Sequence, residues 1–125
     1  MSQDLIRLMH ALFLPAVAVE GVPYVPWRPA ADVYRTRDGF SIKFELAGVR
    51  AEDIDLEVLG SRMTLRGVRR DTCEFREGCR CYLMEISYNQ FERSLELPCN
   101  LERADISTSF RDGMLLVHIR TEERP

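Results

Sequence analysis

Ile106-Ser107-Thr108-Ser109-Phe110-Arg111-Asp112-Gly113-Met114-Leu115-Leu116-Val117-His118-Ile119 is the stretch that decides the fold. Asp112-Gly113 is the strongest short-range signal for a hairpin, because a type I′ turn needs positive φ at both central residues. Before the turn, Ile106, Thr108 and Phe110 alternate with Ser107, Ser109 and Arg111. After it, Leu115, Val117 and Ile119 alternate with Leu116, His118 and Arg120. Period-two patterning on both arms predicts two antiparallel strands with one face in a core. A lone hairpin is marginal in water, so more sheet is needed upstream.

Length and composition set the frame. A chain of 125 residues fits one domain with a real core. A net charge of -3 supplies no basic face, so no nucleic-acid partner is expected. No apolar run is long enough to span a bilayer, and no membrane partner is expected. Asp4 sits where a signal peptide would be basic, and His10 and Pro15 interrupt the apolar run after it. The expectation is a cytoplasmic protein whose cysteines Cys73, Cys79, Cys81 and Cys99 are free thiols.

Residues 1–26 read as an N-terminal arm. Leu5, Leu8, Met9, Leu12 and Phe13 share one face of a short helix over residues 2–14, which Pro15 ends. Val17, Val19, Val22, Tyr24, Val25 and Trp27 follow, broken by Pro23, Pro26 and Pro29 into irregular extended backbone. The arm either docks on its own domain or serves as a sticky surface for assembly and partner binding.

From Ala31 the pattern is that of strands. Ala31 to Arg35 is short and closed by Arg37-Asp38-Gly39; Phe40, Ile42, Phe44 and Leu46 alternate with polar residues. Gly48 and residues 50–53 form a turn or one helical turn. Ile54, Leu56 and Val58, then Met63 and Leu65, continue the alternation across Gly60-Ser61. Residues 67–80 are highly charged and poor in apolar side chains, a loop length that is usually functional or disordered. Thr72 to Phe75 is a possible short strand within it. Cys81 to Ser87 is expected as a strand with Tyr82, Met84 and Ile86 on one face. Asn89 tolerates the left-handed backbone of a tight bend. Phe91, Leu95 and Leu97 follow, with Arg93 among them at an inward-reading position, and Pro98 ends the strand. About eight short strands with turns between them predict an all-β, immunoglobulin-like antiparallel β-sandwich.

At this point the residues resemble a known family. Residues 27–121 are similar to the α-crystallin domain of small heat shock proteins, the Hsp20 family. Ala31-Asp32-Val33-Tyr34, with Leu46-Ala47-Gly48-Val49 and Glu52-Asp53-Ile54, resembles the opening strands and the Leu-Pro-Gly-Val turn. Glu85 with Tyr88, Asn89 and Phe91 resembles Glu-x-x-Tyr-Gly-x-Phe, and Phe91 to Pro98 resembles Phe-x-Arg-x-x-x-Leu-Pro. Thr108 to Leu115 resembles Ala-x-x-x-Asn-Gly-Val-Leu. The departures are Ala47 for proline, Asn89 for glycine, Thr108 for alanine and Asp112-Gly113-Met114 for Asn-Gly-Val. Residues 122–125 end at Arg124-Pro125 without the Ile-x-Ile or Ile-x-Val tail, which leaves a tail-linked assembly without its docking motif.

The resemblance implies an ATP-independent holdase chaperone of the stress response. It would bind partly unfolded client proteins and suppress their aggregation, as a homodimer or larger oligomer and without a cofactor. It implies that the 67–80 loop of one subunit adds to the edge of its twin's sheet, with Thr72, Cys73, Glu74, Phe75, Glu85 and Arg93 at the dimer contact. The expected client or assembly surface is Leu5, Leu8, Met9, Leu12, Phe13, Val17, Val19 and Trp27. A peptide groove is expected between the strands carrying Ile54, Leu56, Val58 and Phe91, Leu95, Leu97. Cys73, Cys79 and Cys81 are possible redox thiols; their spacing does not suit a zinc site. No Ser/His/Asp order, phosphate loop or metal triad marks an enzyme. The alternative is an adaptor of the same fold, a co-chaperone sandwich that binds a folded partner as a monomer.

Overall fold

The computed structural model describes residues 25–70 and 78–121. The expected helix over 2–14, the residues Leu5, Leu8, Met9, Leu12, Phe13, Val17 and Val19, the loop residues Thr72, Cys73, Glu74 and Phe75, and the 122–125 tail lie outside the described residues.

Seven strands are found among the described residues: β1 (Ala31–Arg35), β2 (Gly39–Glu45), β3 (Ile54–Leu59), β4 (Arg62–Arg69), β5 (Asn89–Glu96), β6 (Asp105–Arg111) and β7 (Met114–Arg120). One 3-10 turn, Ala51–Asp53, precedes β3. A four-stranded sheet has the order β1-β2-β7-β6, and a three-stranded sheet the order β3-β4-β5; every pairing is antiparallel. These sheets form the expected sandwich.

The Asp112-Gly113 hairpin is β6–β7. Its tip has φ of 54° at Asp112 and 76° at Gly113, the left-handed pair that the turn demands. The Gly113 carbonyl accepts from the Leu46 amide at 2.7 Å, so the tip is tied to the turn after β2. Asn89 has φ of 71° and stands at the start of β5.

The alternation fills the core as period two requires. Phe40, Ile42 and Phe44 of β2, Met63 and Leu65 of β4, Phe91 of β5, and Leu115, Val117 and Ile119 of β7 are all buried. Leu46 and Val49 close one end. Leu101, in a stretch that reads only as a connection, is also fully buried, and its amide donates to the Gly60 carbonyl at 2.9 Å. Gly67 is required by packing: a Cβ there would collide with the Asp53 carbonyl and the Phe91 ring.

One expected strand is absent. Residues 81–87 form no ladder with any strand among the described residues. Tyr82 (101%), Leu83 (74%) and Ile86 (61%) are exposed. A strand exists only where another backbone takes its hydrogen bonds, and this segment finds none among the described residues.

Candidate interaction surfaces

β5 is an edge of the three-stranded sheet, and a single turn of chain lies along it. The Trp27 amide donates to the Gln90 carbonyl (3.1 Å), and the Trp27 carbonyl accepts from the Glu92 amide (3.0 Å), a parallel bridge centred on Phe91. The Trp27 and Phe91 rings are 5.2 Å apart, and the indole N–H donates to the Asn89 carbonyl at 3.3 Å. In register the next donor would come from Pro29, which has no N–H, so the ladder cannot extend. Trp27 was expected to belong to an assembly surface; it packs, half-buried, on its own domain.

Arg69, at the end of β4, holds this arrangement together. Its guanidinium carbon lies 4.2 Å from the Trp27 ring centre and 5.8 Å from that of Tyr88. Its Nε and Nη2 donate to the Ser87 carbonyl (2.8 and 2.6 Å) and Nη1 to the Ala47 carbonyl (3.1 Å). One planar cation therefore joins β4, the Ala47 turn, the entry to β5 and the indole.

Arg93 faces inward from β5, opposite the fully buried Leu65. Its Nη1 donates to the Pro29 carbonyl at 3.0 Å, while its Nε is buried without a partner among the described residues. Glu85 is exposed. The Arg93 bond recorded by the structure is thus to a backbone carbonyl. Asn89 Nδ2 is the other buried side-chain donor without a partner among the described residues.

The groove expected between Ile54–Val58 and Phe91–Leu97 does not form. β4 lies between β3 and β5, so those strands are opposite edges of one sheet. Their apolar residues share the sandwich interior instead: Phe91 and Leu97 are buried, and Ile54, Leu56, Val58 and Leu95 pack against the core. Alternation tells which face a residue takes, and it is silent on which strands are neighbours.

The outer face of the same sheet is ionic. Arg66 bridges Glu57 and Glu92 at 2.8 Å each, and Arg62 reaches Glu96 at 3.2 Å. Hydrogen bonds donated to Glu57 and Glu92 hold the Arg66 guanidinium above its ordinary pKa. Just after β4, Arg70 grips Asp53 with two bonds of 2.9 and 3.0 Å. Chiefly through those hydrogen bonds, Arg70 holds the Asp53 carboxyl below its ordinary value, against a smaller opposing effect of desolvation.

Cys79 is exposed, Cys81 half-buried and Cys99 buried. His118 is exposed on β7, with its Nδ1 3.4 Å from Ser41 Oγ. Among the described residues no three His, Cys, Asp or Glu side chains gather to hold a metal ion. Nor is any helix there long and apolar enough to cross a membrane.

A family model described as Hsp20/alpha crystallin matches residues 32–125. Small heat shock protein C2 of Rickettsia felis is 29% identical over 96 residues, 77% of this chain and 62% of that protein. The 18 kDa antigen 2 of Mycobacterium avium is 34% identical over 100 residues, 78% and 70% of the two chains. The chain spans about three fifths of the length of the first curated relatives it matches (62% and 58%). Among solved structures, heat shock protein 16.0 from Schizosaccharomyces pombe superposes with a TM-score of 0.68 at 25% identity, covering 82% of this chain and 92% of that one. The hspA protein of Xanthomonas axonopodis shares the fold at a TM-score of 0.65 and 24% identity, over 78% and 97%.

Proposed function

Because the chain belongs to the Hsp20/alpha crystallin family, we propose that it is an ATP-independent holdase that binds partly unfolded proteins through apolar surface and keeps them from aggregating. The observation that carries this reading is the segment around Tyr82, Leu83 and Ile86, three large apolar side chains exposed on backbone that joins no ladder among the described residues. Isolated exposed apolar residues are ordinary; three within five positions on an unpaired segment are a binding surface in waiting.

The working unit in this proposal is a homodimer. Residues 67–69 of the expected 67–80 loop belong to β4; in this proposal the rest of it and the residues that follow cross to the twin and add to a sheet edge. β1 is the candidate edge, because it borders the four-stranded sheet and leaves Val33 (44%) and Tyr34 (50%) exposed. Thr72, Cys73, Glu74, Phe75, Glu85 and Arg93 keep their assignment to this contact, and Cys79 and Cys81 lie next to it. Leu5, Leu8, Met9, Leu12, Phe13, Val17 and Val19 are assigned to client capture or higher assembly. Ile54, Leu56 and Val58 remain candidates as residues of an edge strand, β3, rather than as one wall of a groove with β5. No observation favours the monomeric adaptor.

The test is light scattering from a heated client protein without nucleotide. An equimolar amount of this protein should suppress it. Unchanged scattering at several-fold molar excess would reject the holdase reading.

A further inference from the structure

We propose that residues 25–30 are a displaceable strap, and that the β5 surface beneath them binds an extended, aromatic-bearing segment of a non-native chain. The strap displays the chemistry this surface recognises. Gln90 and Glu92 pair with an extended backbone, the Asn89 carbonyl takes a ring N–H, and Phe91 and Arg69 hold an aromatic side chain between them.

The strap is also an incomplete occupant. It makes one bridge and stops, because Pro29 cannot donate. Asn89, 2% exposed, leaves Nδ2 unpartnered, and Arg93 leaves Nε unpartnered, both on the strand the strap covers. A depression of about 440 Å³ lies between Val25, Pro26 and Arg28 and the sheet residues Arg62, Thr64, Arg66, Glu92 and Ser94. An unfolded segment without proline in register supplies the N–H that the strap lacks. It can therefore compete for the edge, as added strands do at other open sheet edges. The identity of the occupant rests on the holdase reading; the opening of the strap does not.

Trp27 is the only tryptophan in the chain, so its fluorescence reports the strap directly. The binding probe is a fluorescein-labelled peptide with the sequence of residues 25–30 and both prolines replaced by threonine. Full-length Trp27→Ala, shown folded by circular dichroism, should bind it about tenfold or more tightly than wild type, because no strap competes. Equal affinity overturns the proposal, and so does a gain confined to self-association with no peptide bound. Wild-type protein provides a second arm if Trp27→Ala does not fold. On heating, Trp27 emission should shift to the red before the β-sheet signal is lost; coincident transitions overturn the strap. A folded Trp27→Ala that binds the peptide but leaves client scattering unchanged keeps the strap and rejects the holdase reading.

Discussion

Arg93 Nη1 donates to the Pro29 carbonyl at 3.0 Å, across the point where the chain before β1 leaves the β5 edge. This bond fixes a long cationic side chain against the buried face of a sandwich, and it leaves Nε without a partner among the described residues. An ionised donor bonded to a carbonyl is worth about 1.5–3 kcal/mol, and truncation also strands the acceptor. Arg93→Ala should therefore lower Tm by about 6 °C or more in a domain of this size. Arg93→Lys should recover part of the loss. A Tm within about 2 °C of wild type, read by calorimetry, would contradict the account.

Gly67→Ala places a methyl group against the Asp53 carbonyl and the Phe91 ring. Overpacking of this kind costs about 1–3 kcal/mol. Gly60→Ala meets open space and is strained only by its φ of +62°, a cost of about 1–2 kcal/mol. Urea unfolding of the two variants should rank Gly67→Ala as the more damaging; the reverse order would count against the described packing.

The Asp53–Arg70 pair gives stability an acid limb. The folded carboxyl lies below its ordinary value of 3.8. Its contribution is therefore present above that value and is lost as pH falls through the folded pKa. Asp53→Asn should flatten the fall in Tm below about pH 4 and leave a constant deficit at neutral pH. A variant with the wild-type acid limb would show that other carboxylates carry it. Part of the effect should vanish in high salt, since Arg70 is 44% exposed.

Leu83→Asp and Ile86→Asp change exposed side chains on a segment without a ladder. Neither should shift Tm of the folded domain by the equivalent of more than about 0.5 kcal/mol. Both should weaken client suppression or dimer formation. Unimpaired dimerisation together with unimpaired suppression would remove this segment from the binding surface.

The sandwich was legible because its signals are local. Asp112-Gly113 demands positive φ, and Phe40, Ile42 and Phe44 show their facing by alternation alone. The ladder missed at Cys81–Ser87 is the converse case. The apolar alternation of Tyr82, Met84 and Ile86 is present, but pattern cannot supply the neighbouring backbone that makes a strand. The misplaced groove has a related cause, since nothing in Ile54–Val58 or Phe91–Leu97 says that β4 runs between them. Trp27 carried one usable clue. Pro26 and Pro29 flank it, which favours a short extended piece able to make one bridge and no more. Leu101 had no periodic context; it belongs to the buried core, with its amide tied to the Gly60 carbonyl.

The most direct test of the central claim is native mass spectrometry of the full chain mixed with a heat-labile client, across rising temperature and without nucleotide. The account predicts dimers at low temperature and client-bound complexes as the client begins to unfold. A protein that stays monomeric and unbound throughout, while the client aggregates, would contradict it.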